Sequence, residues 1–569
     1  GVLETNDSLT VVSDENGTGR ITRIYNGDIS GKIKMERYID EGATNWRFLT
    51  SPVLNSSLED FDDDFITSGF PGTDWPTWPS PQNPWVSMYF YDETNGTSFQ
   101  DGFITPNSTN DIVGAGQGMW IWCGDSLGGT SEFTIDFFGE PNKGDISYPI
   151  TFTNSTGNID TDGWNLVANP YPCTIDWTNS DWVKTNIDDA IYIWNPDNAQ
   201  YASYVNGIGT NLGSNLIASS QAFWVRANAA NPQLKISESC KYDEDHSFLR
   251  ASNYIPDVIR LKISDSLVWS ETVIRFENNG TSNYDKQLDA LNFTTVDPDN
   301  AVSIFSSING KDYAINTLNE DTIPNQIPLT IAVSNSGNYT IKATDLSDAE
   351  LFNCLILEDN LTGALTNLLI DSSYSFYAVP SNNSIARFKL HFNSKLRVES
   401  QDISCYGEED GILNSTIINS FDTYSWYDSS NNLISSNHSV NNLSSGAYTV
   451  EANSSICPTQ YDTLFITEPD SVSVTTLVTN PSCTNCCDGR VEVIAIGGSG
   501  IYSYTWSEVS FEDSSVVNEV CYGSYSVVVT DENGCEKTEN IVLNYSTSIS
   551  KGSKQVDLSV FPNPASEEV

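Results

Sequence analysis

The chain has 569 residues, more than one compact core can hold, so three to five domains are expected. A formal net charge of −49 argues against nucleic acid and anionic membranes as partners, and favours solubility and cation binding. Apolar residues make up 38% of the chain, with 14 Trp, which excludes disorder, and no run of 18 apolar residues exists to span a bilayer as a helix.

Period-two alternation recurs from end to end, as in VIRLKIS (258–264), RFKLHF (387–392), GRVEVIAI (489–496) and YSVVVTD (525–531). Gly, Asn, Asp and Ser clusters separate such runs, and helical periodicity is scarce. The expectation is an all-β, multi-domain chain of β-sandwich (Ig-like) modules, the last two being tandem disulfide-stapled repeats. Positions 1–42 read as an N-terminal β segment. No signal peptide is visible in the opening GVLETNDSLT, so a mature or trimmed product is expected.

Two related β modules follow, at 43–150 and 151–245. NWRFLTSP (45–52) is echoed by GWNLVANP (163–170), and MYFYDETNG (88–96) by IYIWNPDNA (191–199). IVGAGQGMWIWC (112–123) is echoed by LIASSQAFWVRA (216–227), which matches Gln117 with Gln221 and Trp120 with Trp224.

The first module contains two candidate ligand features. GTDWPTWPSPQNPW (72–85) packs Trp75, Trp78 and Trp85 into a Pro-rich loop. Exposed indoles stack on sugar faces, although a loop pinned by its own aromatics reads the same way. EDFDDDF (59–65) and NIDTDG (158–163) cluster carboxylates, with Asp62, Asp64, Asp160 and Asp162 as weak Ca²⁺ candidates. The second has the start of a calcium loop but Asn169 where the twelfth-position Glu should stand. No cofactor other than Ca²⁺ is suggested.

Gly124-Asp125-Ser126-Leu127 after an apolar strand, with Asp243-x-x-His246 downstream, resembles the blocks of GDSL-type esterases. Those enzymes alternate helices with parallel strands, whereas the intervening residues here are strand-like. The duplicate strand, Trp224–Ala227, continues without a Ser, so the motif reads as a turn after a repeated strand and no catalytic residue is assigned. His391 is expected to be a solvated residue on the polar face of RFKLHF, and His438 to lie in a Ser/Asn-rich loop.

Positions 246–395 read as one further β-sandwich, and 397–470 and 471–546 as two tandem repeats. Cys405 and Cys483, Asp410-Gly411 and Asp488-Gly489, and Cys457 and Cys535 all match at an offset of 78 residues. There are 11 Cys, seven of them beyond residue 400, which suits an oxidising, extracytoplasmic setting. CTNCC (483–487) holds a C-x-x-C that could bind zinc. The first repeat, however, keeps only Cys405 and Cys457, and a pair retained alone fits one staple. Disulfides Cys405–Cys457 and Cys483–Cys535 are therefore expected, each closing a loop of about 50 residues and contributing roughly 3–4 kcal/mol. Cys521 would join Cys486 or Cys487. Cys123, Cys173, Cys240 and Cys354 are unassigned.

The segment GGSGIYSYTWSE…CYGSYSVVVTDENGCEKTENIVL (497–543) resembles the repeat of SprB-type gliding adhesins and other surface proteins of Bacteroidota. The copy at 397–470 lacks the Gly-Gly and carries NSSIC in place of DENGC. LSVFPNPASEEV (558–569) resembles the opening strand of the type A C-terminal sorting domain of type IX secretion cargo, through Phe561, Pro562, Asn563 and Pro564. Only that first strand is present, so 547–569 reads as a linker and a truncated sorting domain. RYI…WRFLTSPV and GWNLVANPYP are similar, more loosely, to segments of large surface proteins of the same phylum.

The resemblance implies export through the type IX translocon with an outer-membrane shuttle as partner. It implies display at the extracellular face of the outer membrane, or release, and a non-catalytic role in adhesion or gliding motility with surface glycans or the gliding machinery as partners. It also marks Asp-Ser/Thr-apolar triplets as O-glycosylation signals, at Ser8, Ser126, Ser266, Thr322, Thr463 and Ser471. A secreted carbohydrate-binding protein is the alternative, and a GDSL-like esterase a second one.

Overall fold

The computed structural model describes residues 1–41, 45–124, 132–154, 156–159, 161–196, 199–244, 258–293, 302–319, 324, 326–346, 352–380, 386–416, 421–511 and 513–545. Strands dominate throughout, and Glu59–Asp62 is the one α-helix among the described residues. The fold is all-β. The chain forms two compact units: the first is Gly1–Lys395, joined by segments that include Ser454–Pro458, and the second is built from the remainder beyond Leu396.

The N-terminal segment is not separate from the module after it. Strand Ile33–Ile39 alternates buried and half-buried residues and pairs along its whole length with Phe133–Gly139. That sheet packs on a second one, Trp46–Leu49, Met119–Trp122, Met88–Tyr91 and Phe103–Ile104, in hydrogen-bonded order. Ile33, Met35 and Ile39 share one core with Leu49, Met88, Met119, Ile121 and Phe137. The expected boundary near residue 42 therefore cuts through a sandwich, because the alternation of Ile33–Ile39 has its burial partners beyond residue 45.

The second module repeats this arrangement. Trp164–Ala168 pairs with Ala222–Arg226, which pairs with Ile191–Asn195, and Gln200–Val205 and Ile208–Thr210 extend the sheet. The registers correspond: Trp120 lies opposite Phe48 and Tyr89, and Trp224 opposite Leu166 and Tyr192. These strands are buried on both faces. Tyr192, Trp194, Leu166 and Trp224 enter one core, shared with Phe48, Trp120, Val273 and Ile315, while Ile191, Ile193, Val167 and Phe223 enter another. Double-sided burial explains why WNLVA, IYIWN and AFWVR read as nearly unbroken apolar runs.

The two modules meet through equivalent residues exchanged reciprocally. Thr50 N–H donates to Ser220 O (3.0 Å), and Ala168 N–H donates to Gly116 O (2.9 Å). Leu49 bridges Gln221, and Val167 bridges Gln117. Such reciprocity is the mark of a two-fold relation, here inside one chain. Buried Asn142 spans the pseudo-axis: its N–H donates to Pro52 O (3.0 Å) and its Nδ2 to the equivalent Pro170 O (2.8 Å).

From Val258–Ser264 to Phe388–Ser394 the chain makes one eleven-stranded hydrogen-bonded sheet. It closes over its own apolar face. Phe376, on the strand at one end of the path, lies 4.8 Å from Phe388 near the other, and both join Ile259, Ile274, Val302 and Leu355 in one core. His391 is corrected here: it is only 8% exposed, and its Nε2 lies 2.7 Å from Glu358 Oε2. Its side chain lies between the cross-strand residues Gln326 and Ile356 with the Glu358 carboxylate against its ring, so it is packed among side chains of its own face rather than solvated.

In the second unit each repeat is a pair of small sheets. The first combines Val398–Gln401, Gly411–Ser415 and Ser439–Leu443 with Leu433–Ser435, Thr423–Asp428, Gly446–Asn453 and Gln460–Ile466. The second combines Ser473–Thr479, Gly489–Ile496 and Val516–Val520 with Tyr502–Trp506, Gly523–Asp531 and Glu536–Leu543. Trp426 and Trp506 are buried at equivalent places, each donating its indole N–H to a backbone oxygen, Asn437 O (2.9 Å) and Ser514 O (3.0 Å). Tyr448 and Tyr525 stand third in their strands and donate their hydroxyls to the carbonyls four residues back, Ser444 O (2.8 Å) and Cys521 O (3.1 Å). This closure resembles the tyrosine corner of Greek-key sandwiches.

Candidate functional site

The Trp-rich loop is held by its backbone before its side chains are considered. Trp75 N–H donates to Thr67 O and Gly69 N–H to Trp75 O, each at 3.1 Å, and Trp85 N–H donates to Trp78 O at 2.7 Å. Ser68 Oγ donates to Trp85 O at 2.8 Å. Gly69 has a φ of +95°, and a Cβ there would collide with Trp85 O, so only glycine suits this crossing.

The three indoles then divide. Trp85 is half-buried, edge-on to Trp122 (5.2 Å) and tilted against Trp46 (6.1 Å), which stacks on Trp120 (5.1 Å, 7°). Trp78 stands edge-on to Trp85 at 6.3 Å. Trp78 and Trp75 each remain 51% exposed. An indole ladder thus runs from the core to the part-exposed Trp78, and Trp75 adjoins it through the backbone, its carbonyl accepting Trp78 N–H (3.3 Å).

The first acidic cluster adjoins this loop through Thr67, which sequence reasoning did not single out. Thr67 donates its hydroxyl to Asp62 and its N–H to Asp74 Oδ2 (3.3 Å), while its carbonyl receives Trp75 N–H. Burial pushes the Asp62 carboxyl up to about 6, with the Asp74, Asp63 and Glu59 charges adding to it. Burial likewise pushes Asp64 up to about 7, although Asp136 N–H (2.9 Å) stabilises its charged form. Asp162 is buried and accepts Gly157 N–H (2.8 Å) and the Thr156 hydroxyl (3.0 Å), closing its own loop. Asp160 lies outside the described residues. Among the described residues no three His, Cys, Asp or Glu side chains converge as a metal site. One carboxylate oxygen of Asp62, one of Asp64 and both of Asp162 accept hydrogen bonds from the protein's own donors.

Ser126 and His246 of the esterase-like blocks lie outside the described residues, as do Thr322 and the sorting motif Phe561, Pro562, Asn563 and Pro564. Ser8, Ser266, Thr463 and Ser471 are exposed, Ser266 in the turn between Val258–Ser264 and Trp269–Phe276. His438 is exposed just ahead of Ser439–Leu443.

The cysteine pairing differs from the one expected. The bonds are Cys354–Cys457, Cys405–Cys535, Cys483–Cys486 and Cys487–Cys521. Cys405–Cys457 and Cys483–Cys535 are therefore corrected, and of the two partners left open for Cys521 the structure has Cys487. Cys405 and Cys535 lie 5.5 Å apart at Cα, which suits a bridge, and the bond runs between the two repeats rather than within either. Cys457 belongs to Ser454–Pro458, a loop of the first compact unit, where it meets Cys354. Cys123, Cys173 and Cys240 are buried free thiols. Burial pushes Cys123 and Cys173 each up to about 12, so neither is poised as a nucleophile.

Among described residues no helix is long and apolar enough to cross a membrane. No curated protein matches the chain. Solved structures that it resembles include the N-terminal four Ig domains of Dscam1 isoform 9.44, at 12% identity over 71% of this chain and 99% of that one, with a TM-score of 0.14. The human desmocollin-1 ectodomain matches at 9% identity over 86% of this chain and 99% of that one, with a TM-score of 0.17. Residues 15–392, spanning both duplicated modules and nearly all of the eleven-stranded sheet, match a family described as a domain of unknown function, and the chain belongs to that family, DUF8693.

Proposed function

We propose that this chain is an exported, non-catalytic protein of a Bacteroidota cell surface that acts in adhesion or gliding motility and travels through the type IX translocon. The observation that carries the reading is the set of four disulfides, one of which links the two repeats, because such bonds persist in oxidising, extracytoplasmic settings. The SprB-like repeats and the Phe561–Pro564 motif supply the route and the setting. The translocon, its outer-membrane shuttle and surface glycans are the partners in this reading, with the exposed Ser8, Ser266, Thr463 and Ser471 as sugar acceptors. Surface labelling of cells with and without a working type IX system tests it. Display lost with the system supports the reading, and equal display in both removes the export route.

A secreted carbohydrate-binding protein is the second reading, favoured by the fixed, part-exposed Trp75 and Trp78 beside polar Thr67 and Asp74. Stacking on neutral sugars needs such rings and no positive charge, in keeping with the net charge of −49. Trp75→Ala and Trp78→Ala are expected to abolish binding on a glycan array while leaving the melting temperature nearly unchanged. Binding that survives both substitutions ends this reading.

A further inference from the structure

The cysteines of the repeats are used in one direction along the chain. Cys457, in the loop after Gly446–Asn453, bonds Cys354, which precedes the repeats. Its equivalent Cys535, in the loop after Gly523–Asp531, bonds Cys405, which lies in the preceding repeat. The later cysteine of each repeat therefore reaches back, and the earlier cysteine receives. The receiving position of the second repeat is Cys483, the equivalent of Cys405. It holds no cysteine from another module and is closed by Cys486, three residues away.

That closure is an addition to a turn that forms without it. In the first repeat Glu408 N–H donates to Cys405 O (3.1 Å), and in the second Cys486 N–H donates to Cys483 O (3.1 Å). Asp410 Oδ1 accepts Ser404 N–H at 3.0 Å, and Asp488 Oδ1 accepts Ser482 N–H at 2.9 Å. The two loops have the same hydrogen bonds at the same offset, and Cys486 stands where Glu408 stands. In the first repeat the turn presents Cys405 to Cys535, with Ser404 O accepting Asn533 Nδ2 (3.2 Å). In the second repeat the same turn leaves Cys483 exposed, with Cys486 half-buried behind it. The loop is held independently by Cys487–Cys521.

We propose that Cys483–Cys486 is a capped link position, and that its partner is a further repeat module bearing a free thiol at the place of Cys535. The linking step is a thiol–disulfide exchange. The incoming thiolate attacks the exposed Cys483 Sγ, the Cys483–Cys486 bond breaks, and the electron pair leaves on Cys486, which takes up the proton the incoming thiol gave up. One disulfide is lost and one is made, so no oxidant is consumed. The cap keeps an exposed thiol from pairing at random until a matching module arrives.

The full chain supplies its own probe. Cys405→Ser frees the Cys535 thiol, and this variant is mixed with wild-type chain in mildly alkaline buffer without oxidant, then resolved on a non-reducing gel and mapped by peptide mass spectrometry. A covalent heterodimer containing a Cys483–Cys535 peptide pair is expected, and it is lost when the acceptor chain carries Cys483→Ser together with Cys486→Ser. Cys354→Ser, which frees the equivalent Cys457, provides a second donor should the first variant fold poorly, and the expected pair is then Cys457–Cys483. No heterodimer from either donor, or cross-links at Cys487 or Cys521 in place of Cys483, overturns the proposal.

Discussion

The duplicated modules of the first unit and the duplicated repeats of the second are joined by different means. In the first unit, Phe48 and Trp120 of one module interleave with Leu166, Trp194 and Trp224 of the other, and backbone hydrogen bonds are exchanged reciprocally across the junction. In the second unit the join is the Cys405–Cys535 bond, with Asn533 Nδ2 on Ser404 O beside it. The difference follows from core size. Each repeat has one buried Trp and a set of Val, Ile and Leu, a small core that does not extend into the neighbour, while apolar side chains such as Phe465, Leu477 and Ile496 stay exposed. A covalent link holds them in series without a shared core.

That contrast can be broken from either side. Trp224→Ala is expected to have the largest effect, about 3–5 kcal/mol, because its ring is fully buried against Phe48, Tyr91 and Phe99. In scanning calorimetry the transition of the first unit should fall while that of the second stays. Cys405→Ser should do the converse, lowering the second unit by roughly 2–4 kcal/mol and leaving the first in place.

Smaller changes sharpen the comparison. Tyr448→Phe and Tyr525→Phe each remove one part-buried hydrogen bond and should cost about 0.5–1.5 kcal/mol in denaturant melts of the second unit. Tyr339→Phe should cost a similar amount in the first, since its hydroxyl donates to Asn335 O (2.7 Å).

A last expected effect is a slope with pH in the first unit that the second lacks between pH 7 and 4. Asp62, at about 6, and Asp64 and Asp289, at about 7, are raised from an ordinary 3.8, chiefly by burial, so the fold favours their protonated forms. Their contribution is fully present below about pH 4 and is lost as pH rises towards 7. In the second unit, Ser404 holds Asp410 below 3.8 and Ser482 holds Asp488 below it, so their contribution is present above that value and lost as pH falls beneath it. Acidification from pH 7 to 4 should therefore raise the midpoint of the first unit and leave the second unmoved. Asp64→Asn should flatten the first slope.

Much of this was legible in the residues. The offset of 78 residues carries strand onto strand in the repeats, and the echo of WRFL in WNLV carries register onto register. Gly-x-Tyr-x-Val (446–450 and 523–527) marks two tyrosine closures, and GNYTI (337–341) marks a third, whose surroundings are not duplicated. Thr67 escaped because a lone Thr between an acidic cluster and a Trp loop has no pattern of its own.

The alternation of side chains determined by itself that this protein is a series of two-faced sheets, since the pleat places successive residues on opposite faces wherever the chain lies. Which faces meet was decided in three dimensions: Ile33–Ile39 found its sheet beyond residue 45, and His391 was packed against Glu358 of the adjacent strand. The cysteine pairing was decided there as well. A repeat offset is unchanged when every bond is shifted by one module, so spacing cannot tell a staple within a repeat from a link to the one before. Only the 5.5 Å approach of the Cys405 and Cys535 backbones does so.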